Sequence, residues 1–133
     1  MLVIIEDGFG ETIIRGEYDS FQDCIERNKK HLHSVILEGA DFSGFNLEDA
    51  NFWATDLKGA NFSGANLKNA NLESTNLEGA NFSGANLEGA SFKNAVLNGV
   101  NFNGANLKDV NFGNARIRYT SLEGRVEYKK ILL

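Results

Sequence analysis

Residues 60–69 read ANFSGANLKN, two successive five-residue units, and the same unit recurs without insertion from residue 35 to residue 124. Each unit has a large apolar residue at its centre, and most units have a small residue, usually Ala, two positions earlier, with Phe45 as an exception. Eleven of the eighteen units place Asn directly before the centre, and fifteen place Gly, Asn or Asp two positions after it. One uninterrupted repeat therefore decides the fold of most of the chain.

A five-residue period fits neither an α-helix of 3.6 residues per turn nor a simple alternating strand. It is typical of a short extended stretch followed by a turn, in which two residues, two apart, point inward. The Gly, Asn or Asp position supplies the corner, where a positive φ costs these residue types little. The chain contains no proline, as expected where almost every backbone N–H is needed for pairing.

The repeat resembles the pentapeptide-repeat family, whose pattern is A-(D/N)-L-x-x. Residues 60–64, 65–69 and 85–89 match this pattern closely, and the resemblance covers ninety of the 133 residues. The resemblance implies an all-β fold, a right-handed quadrilateral β-helix with four pentapeptides per coil. A hairpin and a helix before such a repeat are also similar to small family members from phage and bacteria, mostly without assigned activity.

The central residues alternate with a period of ten, which independently supports four sides. From Phe42 to Leu122 in steps of ten, seven of nine centres are Phe, and the interleaved nine are eight Leu and Ile117. On a four-sided coil, steps of ten reach opposite sides. We therefore predict Phe on two opposing walls and Leu on the other two, around a filled interior rather than a tunnel.

Both ends of a coil need a cover, because open coils expose core and unpaired edges. Residues 1–34 are predicted to form an N-terminal cap, with a hairpin of strands 2–5 and 12–15 and a helix that starts near Ser20. The expected apolar face of that helix comprises Phe21, Cys24, Ile25 and Leu32. The chain then divides into this cap, the repeat at 35–124, and a C-terminal cap or dimerisation strand at 125–133.

The C-terminal segment holds so many apolar residues that they would form an apolar patch if they were all exposed to water. They are Val126, Tyr128, Ile131, Leu132 and Leu133. Two arrangements would cover them: the tail folds across the last coil, or two last coils meet with the tails between them. We favour the second, a homodimer through the C-terminal end.

No residue is predicted to be catalytic, because catalysis needs polar groups that converge in a concave site and this repeat forms convex walls. His31 and His33 lack the further ligands that a metal site requires. Cys24, the single cysteine, is expected to be a small core residue. No phosphate- or dinucleotide-binding motif occurs, so the chain is expected to be no enzyme and to bind no cofactor or metal.

Composition excludes further classes of protein. A net charge of −5 argues against direct nucleic-acid binding. No stretch of eighteen apolar residues spans a membrane, and the first residues do not read as a signal peptide. The expected location is the cytoplasm.

Function is expected on the outward residues, which stack every twenty positions in ladders of mixed charge. The candidate interaction surface comprises Trp53, Glu48, Glu73 and Glu88. Trp53 is either an interface anchor or is covered by the N-terminal helix, and we favour the cover. The predicted function is a non-enzymatic structural or protein-interaction module whose partner is unknown.

The alternative function comes from the resemblance. Some pentapeptide-repeat proteins imitate DNA and bind DNA gyrase or topoisomerase IV through an acidic rod. Residues 35–124 contain ten acidic and six basic residues, so the sign of the charge agrees. The lysines, however, interrupt the continuous negative charge that a mimic of DNA presents, and the rod is short.

Overall fold

The computed structural model describes residues 1–118 and residue 120, and these residues form a hairpin, a helix and a long stack of coils. The regular elements precede the repeat. In chain order they are strand β1 (Leu2–Glu6), strand β2 (Thr12–Glu17), helix α1 (Phe21–Asn28) and a 3₁₀ turn (Lys29–His31). Predictions for residues 121–133 lie outside the described residues.

The hairpin is confirmed, with strands slightly longer than predicted. β1 and β2 pair antiparallel from Leu2 opposite Glu17 to Glu6 opposite Thr12, with a shift of register between Ile5 and Glu6. Val3 and Ile5 are buried while their neighbours in β1 are exposed, as the two-residue period of a strand requires. The Asp7 carboxylate fixes the connecting loop, since its Oδ1 accepts the backbone N–H groups of residues 9 and 11 at 2.8 and 2.9 Å.

Helix α1 begins as predicted but ends earlier. The Ser20 hydroxyl accepts the backbone N–H of Asp23 at 3.0 Å, which is the bond of an N-cap. The helix ends at Asn28, whose side chain donates to the Cys24 carbonyl at 2.8 Å, and the 3₁₀ turn follows directly. The prediction that Leu32 shares the helix face is wrong: Leu32 follows the 3₁₀ turn, although it is fully buried there.

The repeat is a β-helix with four units per coil. Parallel bridges join residues twenty apart, from Ile36 with Asp56 to Val96 with Arg116. Each bridge is one residue long within the described repeat, so the walls contain paired positions rather than extended strands. Backbone bonds join successive coils on both sides of a bridge; for example, the Phe62 N–H donates to the Asn81 carbonyl at 2.7 Å.

The corners are confirmed. Every fifth residue from Ser34 to Asn114, seventeen positions in all, has a φ between +55° and +71°. After most corners, the next backbone N–H donates to the carbonyl three residues earlier, as Ala65 donates to the Phe62 carbonyl at 3.0 Å. A positive φ at the third residue of such a turn is the feature of a type II turn.

Replacing the corner residue Ala54 by Gly is expected to stabilise the fold by up to about 1 kcal/mol. Ala54 has a φ of +55°, and an L-residue pays about 1–2 kcal/mol in this region while Gly pays about 0.5–1 in entropy. Chemical denaturation of Ala54→Gly measures the gain. The matched control is Ala50→Gly at a buried, non-corner position, which is expected to be destabilising; a loss at Ala54 as large as at Ala50 would contradict the account.

Phe side chains fill two opposing columns, as predicted. In one column the Phe42, Phe62 and Phe82 rings stack with centroids 4.8 Å apart and interplanar angles of 14° and 2°. In the other, Phe92 and Phe112 stack at 5.4 Å. Rings of the two columns meet edge to face, with centroids 5.5–5.9 Å apart. The interior is therefore solid.

The residue before each centre has a role that the sequence analysis did not identify. The Asn61 Oδ1 accepts the N–H of Ser63 at 3.0 Å, and thirteen Asn or Asp residues make this bond two positions ahead at 2.8–3.4 Å. The bond satisfies an N–H that points away from the neighbouring coil. At Asp41, hydrogen bonds from Ser43 lower the pKa of the carboxyl group.

Candidate interaction surface

Exposed large apolar side chains are confined to one end of the described chain. Seven such residues are exposed, all within residues 1–53: Met1, Leu2, Ile4, Phe9, Ile13, Ile36 and Trp53. Between residues 54 and 118 the large apolar side chains are buried or half-buried. Groups of exposed large apolar side chains are candidates for sites of protein association. We call these seven residues the N-terminal apolar surface.

The hairpin places several of these side chains outward. Because Val3 and Ile5 face the core, Leu2 and Ile4 must face away from it, and they are 51% and 46% exposed. Phe9 stands at the tip of the loop and is 99% exposed.

Ile36 connects the hairpin to the first coil. It occupies the position directly before a centre, where most units carry Asn or Asp, and it is 53% exposed. The hairpin loop lies against it, since a Cβ added at Gly8 would stand 3.7 Å from the Ile36 Cδ1. Asp7 forms an antiparallel bridge with Val35 directly beside it. The apolar surface of the hairpin therefore continues onto the coil.

A groove of about 730 Å³ runs beside β1. All five residues of β1 line it, together with Met1, Asp7, Phe21, Ile36 and Leu37, and β2 contributes none. Because residues from both faces of β1 line the groove, it follows the edge of the strand and does not lie beneath the sheet. The sheet has only two strands in the described part of the chain, so Leu2–Ile5 have no strand beside them on this edge, whereas Asp7, directly after β1, is bridged to Val35.

Charge is strongly asymmetric along the sequence. Residues 1–57 contain twelve acidic and four basic residues, a net charge of −8. Residues 58–133 contain six acidic and nine basic residues, a net charge of +3. The end of the molecule that carries the N-terminal apolar surface is therefore also its acidic end. The asymmetry is visible when the charges of the two parts of the sequence are counted separately, and the net charge of the whole chain conceals it.

The expected cover over Trp53 is not found. The Ser34 N–H donates to the Trp53 carbonyl at 2.8 Å, and the Lys29 carbonyl accepts from the Asn51 N–H at 2.8 Å. The segment after α1 thus pairs with the backbone around residues 51–53 in the first coil. The Trp53 indole is not covered by α1 and remains 47% exposed.

The predicted surface glutamates lie on two adjacent walls. Glu48 and Glu88 lie forty residues apart on one wall, with Lys68 midway between them. Glu73 lies on the next wall, twenty residues after Trp53. The Lys108 Nζ lies 4.0 Å from the Glu88 Oε1, and in the described residues this is the one ion pair between coils. Exposed pairs of this kind contribute about 0–1 kcal/mol.

The residues considered for chemistry are not brought together. His31 and His33 are both exposed, and the described residues contain no group of three or more His, Cys, Asp or Glu side chains that would hold a metal ion. The predicted tail residues Val126, Tyr128, Ile131, Leu132 and Leu133 lie outside the described residues. Within the described chain, no helix has the length and apolar character needed to cross a membrane.

Cys24 is expected to react slowly with thiol reagents in the native protein. It is fully buried, and burial raises the pKa of its thiol, so the reactive thiolate is scarce at neutral pH. Labelling with a chromogenic disulfide reagent measures the rate, with the urea-unfolded chain as the control. Native labelling as fast as that of the unfolded chain would contradict the buried position.

Family models identify the chain. The model of the pentapeptide repeat region matches residues 20–102, and a model of eight pentapeptide repeats matches residues 85–124. The first match alone covers more than half of the chain, and the chain belongs to the pentapeptide-repeat family. No curated protein sequence matches the chain significantly.

Solved structures agree with this assignment. A pentapeptide repeat protein from the thylakoid lumen of Arabidopsis thaliana is 38% identical, with a TM-score of 0.63, over 66% of this chain and 61% of that protein. A pentapeptide repeat protein from Nostoc PCC 7120, alr5209, is 39% identical, with a TM-score of 0.56, over 58% and 64%. QnrB1, a plasmid-mediated fluoroquinolone resistance protein, is 26% identical, with a TM-score of 0.60, over 64% and 47%.

These neighbours imply that the β-helix is right-handed. The matched part spans less than two thirds of the length of each of the three neighbours. The chain is therefore a pentapeptide-repeat protein, a class of generally non-enzymatic structural or interaction modules.

Proposed function

We propose that the chain is a non-enzymatic protein-interaction module of the cytoplasm, of bacterial or phage type, that binds a protein partner through its N-terminal end. The observation that carries the proposal is the confinement of all seven exposed large apolar side chains of the described chain to residues 1–53. Protein interfaces have apolar cores with aromatic anchors and polar rims. Trp53 and Ile36 supply candidate anchors, and the acidic residues around them supply the rim.

The repeat acts in this proposal as a rigid support. Residues 1–34 form the cap, 35–124 the β-helix and 125–133 a segment for self-association. Contacts of Phe21 in α1 support the cap, since its ring centroid lies 5.9 Å from that of Phe42 and 6.1 Å from that of Phe45. Phe45, which stands where other units have a small residue, is thereby covered by the helix. The stacked core holds the N-terminal end in place.

The test is capture of partners by the purified, tagged full-length chain from extracts of its native cells. A protein that the wild type captures is expected to be lost when Ile36 and Trp53 are both changed to Lys, because both side chains are exposed and neither is needed for the core. The matched control exchanges the charges of Lys108 and Glu88 in the later coils. A partner that survives the first change and is lost with the second would overturn the proposal.

The second candidate is imitation of DNA with binding to DNA gyrase or topoisomerase IV. Its support is the similarity to a plasmid-mediated fluoroquinolone resistance protein and the net negative charge. The distribution of charge favours it less, because residues 58–133 carry a net charge of +3 and continuous acidic walls are what imitation requires. A supercoiling assay with purified gyrase decides: no effect at tens of micromolar chain would remove this candidate.

A further inference from the structure

The segment before the repeat covers only part of the N-terminal edge of the first coil. The Glu26 carboxylate accepts the backbone N–H of Asn46 at 2.8 Å. The Lys29 carbonyl accepts the backbone N–H of Asn51, also at 2.8 Å. These bonds take the place of a preceding coil along residues 46–53, because a coil edge has backbone groups that need partners.

Two carbonyl groups on the other part of this edge are unpaired. One coil further on, the equivalent carbonyls of Asp56 and Lys58 each accept an N–H from the preceding coil at 2.8 Å. Within the described residues, the carbonyls of Ile36 and Glu38 accept no backbone N–H. Unpaired edge groups are a template for the addition of another strand. An added segment would supply two N–H groups that lie two residues apart, as each coil supplies to the next.

The groove of about 730 Å³ opens at this part of the edge. Ile36 and Leu37 line it on the side of the coil, and β1 and Phe21 line it on the other sides. The bridge between Asp7 and Val35 holds the end of β1 against the coil, so the two sides of the groove are tied together. Its volume lies within the range of about 300–1,000 Å³ that is typical of binding sites.

The next wall of the first coil offers no comparable space. There the Phe21 ring packs on Phe42, with ring centroids 5.9 Å apart, and Phe42 is fully buried. Leu37, in contrast, lines the groove and is 9% exposed. An added segment therefore fits over residues 36–38, with one apolar side chain in the groove above Leu37.

The charges around the groove define a second side chain of the occupant. The outward column that starts at Glu38 alternates in sign, with Lys58 and Glu78 at steps of twenty residues, so the position above Glu38 favours a cation. Glu6 and Asp7 line the groove, and among the described residues no Lys, Arg or His side chain does. Residues 1–57 as a whole have a net charge of −8.

We propose that the groove binds an extended segment of a protein partner in which a large apolar residue is followed directly by Lys or Arg. The segment lies parallel to residues 36–38, with its apolar side chain on Leu37 and its basic side chain beside Glu38. Backbone bonds provide affinity in this kind of strand addition, and side-chain pockets provide specificity. The inference rests on the proposed function, because it names the chemistry of a partner for the N-terminal end.

Nuclear magnetic resonance of the isotope-labelled, full-length chain tests the site with a synthetic peptide. The peptide has the sequence of residues 65–71, ANLKNAN, with both ends blocked; it contains Leu and Lys in succession and no other charge. At millimolar peptide we expect shifts of backbone amide signals confined to β1 and residues 35–39. The same peptide with Glu in place of Lys is expected to bind about three- to tenfold more weakly, because an attraction becomes a repulsion.

Two variants of the chain provide the matched comparison. Glu38→Lys is expected to weaken binding of ANLKNAN and to reverse the preference between the two peptides. Glu78→Lys, at an exposed position two coils further along the same column, is expected to change neither. No shift at millimolar peptide, equal affinity for the two peptides, or equal effects of the two variants would each overturn the inference. If it is overturned while a captured partner is still lost when Ile36 and Trp53 are changed to Lys, the proposed function stands.

Discussion

Replacing Phe62 by Ala is expected to lower the free energy of unfolding by about 3–5 kcal/mol. Phe62 is fully buried, stacks on Phe42 and Phe82 at 4.8 Å and meets Phe52 edge to face at 5.7 Å. Its removal deletes contacts in both columns, and the coils above and below cannot approach to fill the cavity because backbone bonds fix their spacing. Urea denaturation followed by far-UV circular dichroism measures the loss.

The neighbouring outward residue provides the control. Ser63→Ala removes a half-exposed hydroxyl on the same coil and is expected to change stability by less than about 0.5 kcal/mol. Phe112→Ala gives a second comparison, because Phe112 lies near the end of the described column and is 7% exposed, so its loss is expected to be smaller. Equal effects at Phe62 and Ser63 would show that the stacked interior does not support the fold.

Replacing Thr55 by Val is expected to cost about 1–3 kcal/mol, the penalty for leaving a buried polar group without its partner. The Thr55 Oγ1 donates to the Leu32 carbonyl at 2.6 Å, and both residues are at most 1% exposed. Val has the same shape but no donor. This bond joins the end of the N-terminal segment to the start of the second coil, so its loss is expected to loosen the hairpin and α1 in particular.

Hydrogen exchange separates this local effect from a general one. Thr75 is the matched control, because its Oγ1 donates at 2.6 Å to Leu72 within its own coil. Thr75→Val is expected to cost stability without accelerating exchange in β1, β2 and α1 relative to the repeat. If both variants accelerate N-terminal exchange equally, the bond to Leu32 does not anchor the segment.

The fold was predictable because its signals are local and repeated. Most corner residues are Gly, Asn or Asp, and every fifth residue from Ser34 to Asn114, including Ala54 and Ser74, has the positive φ that those three types favour. The alternation of Phe and Leu likewise specified the two columns. Leu72 interrupts the second column between Phe52 and Phe92 as the sequence indicates, because the position of a centre follows from counting alone.

Errors fall where the chain departs from the repeat. Helix α1 ends at Asn28 and a 3₁₀ turn follows it at Lys29–His31, a change of helix type that no periodicity reports. The segment after α1 pairs with the backbone of Trp53 and leaves its side chain exposed. The sequence did not predict this because the path of a non-repeating segment depends on tertiary contacts. The N-terminal apolar surface was missed for the same reason, since alternation in β1 marks two faces but does not say that the outer face stays uncovered.

Two features of the sequence nonetheless indicate part of the N-terminal apolar surface. Ile36 and Val96 are the two apolar residues at the position before a centre, where most units carry Asn or Asp, and of the two only Ile36 is exposed. The charge asymmetry between residues 1–57 and 58–133 is also visible by counting. Both signals lie outside the regular pattern of the repeat.

The central claim is that the N-terminal end carries the contact, and hydrogen exchange of the full-length chain with and without a captured partner tests it most directly. We expect partner-dependent protection in β1, in the loop around Phe9 and near Ile36 and Trp53, with little change from residue 58 to residue 118. Protection that follows the walls of the later coils, with an unchanged N-terminal end, would contradict the account.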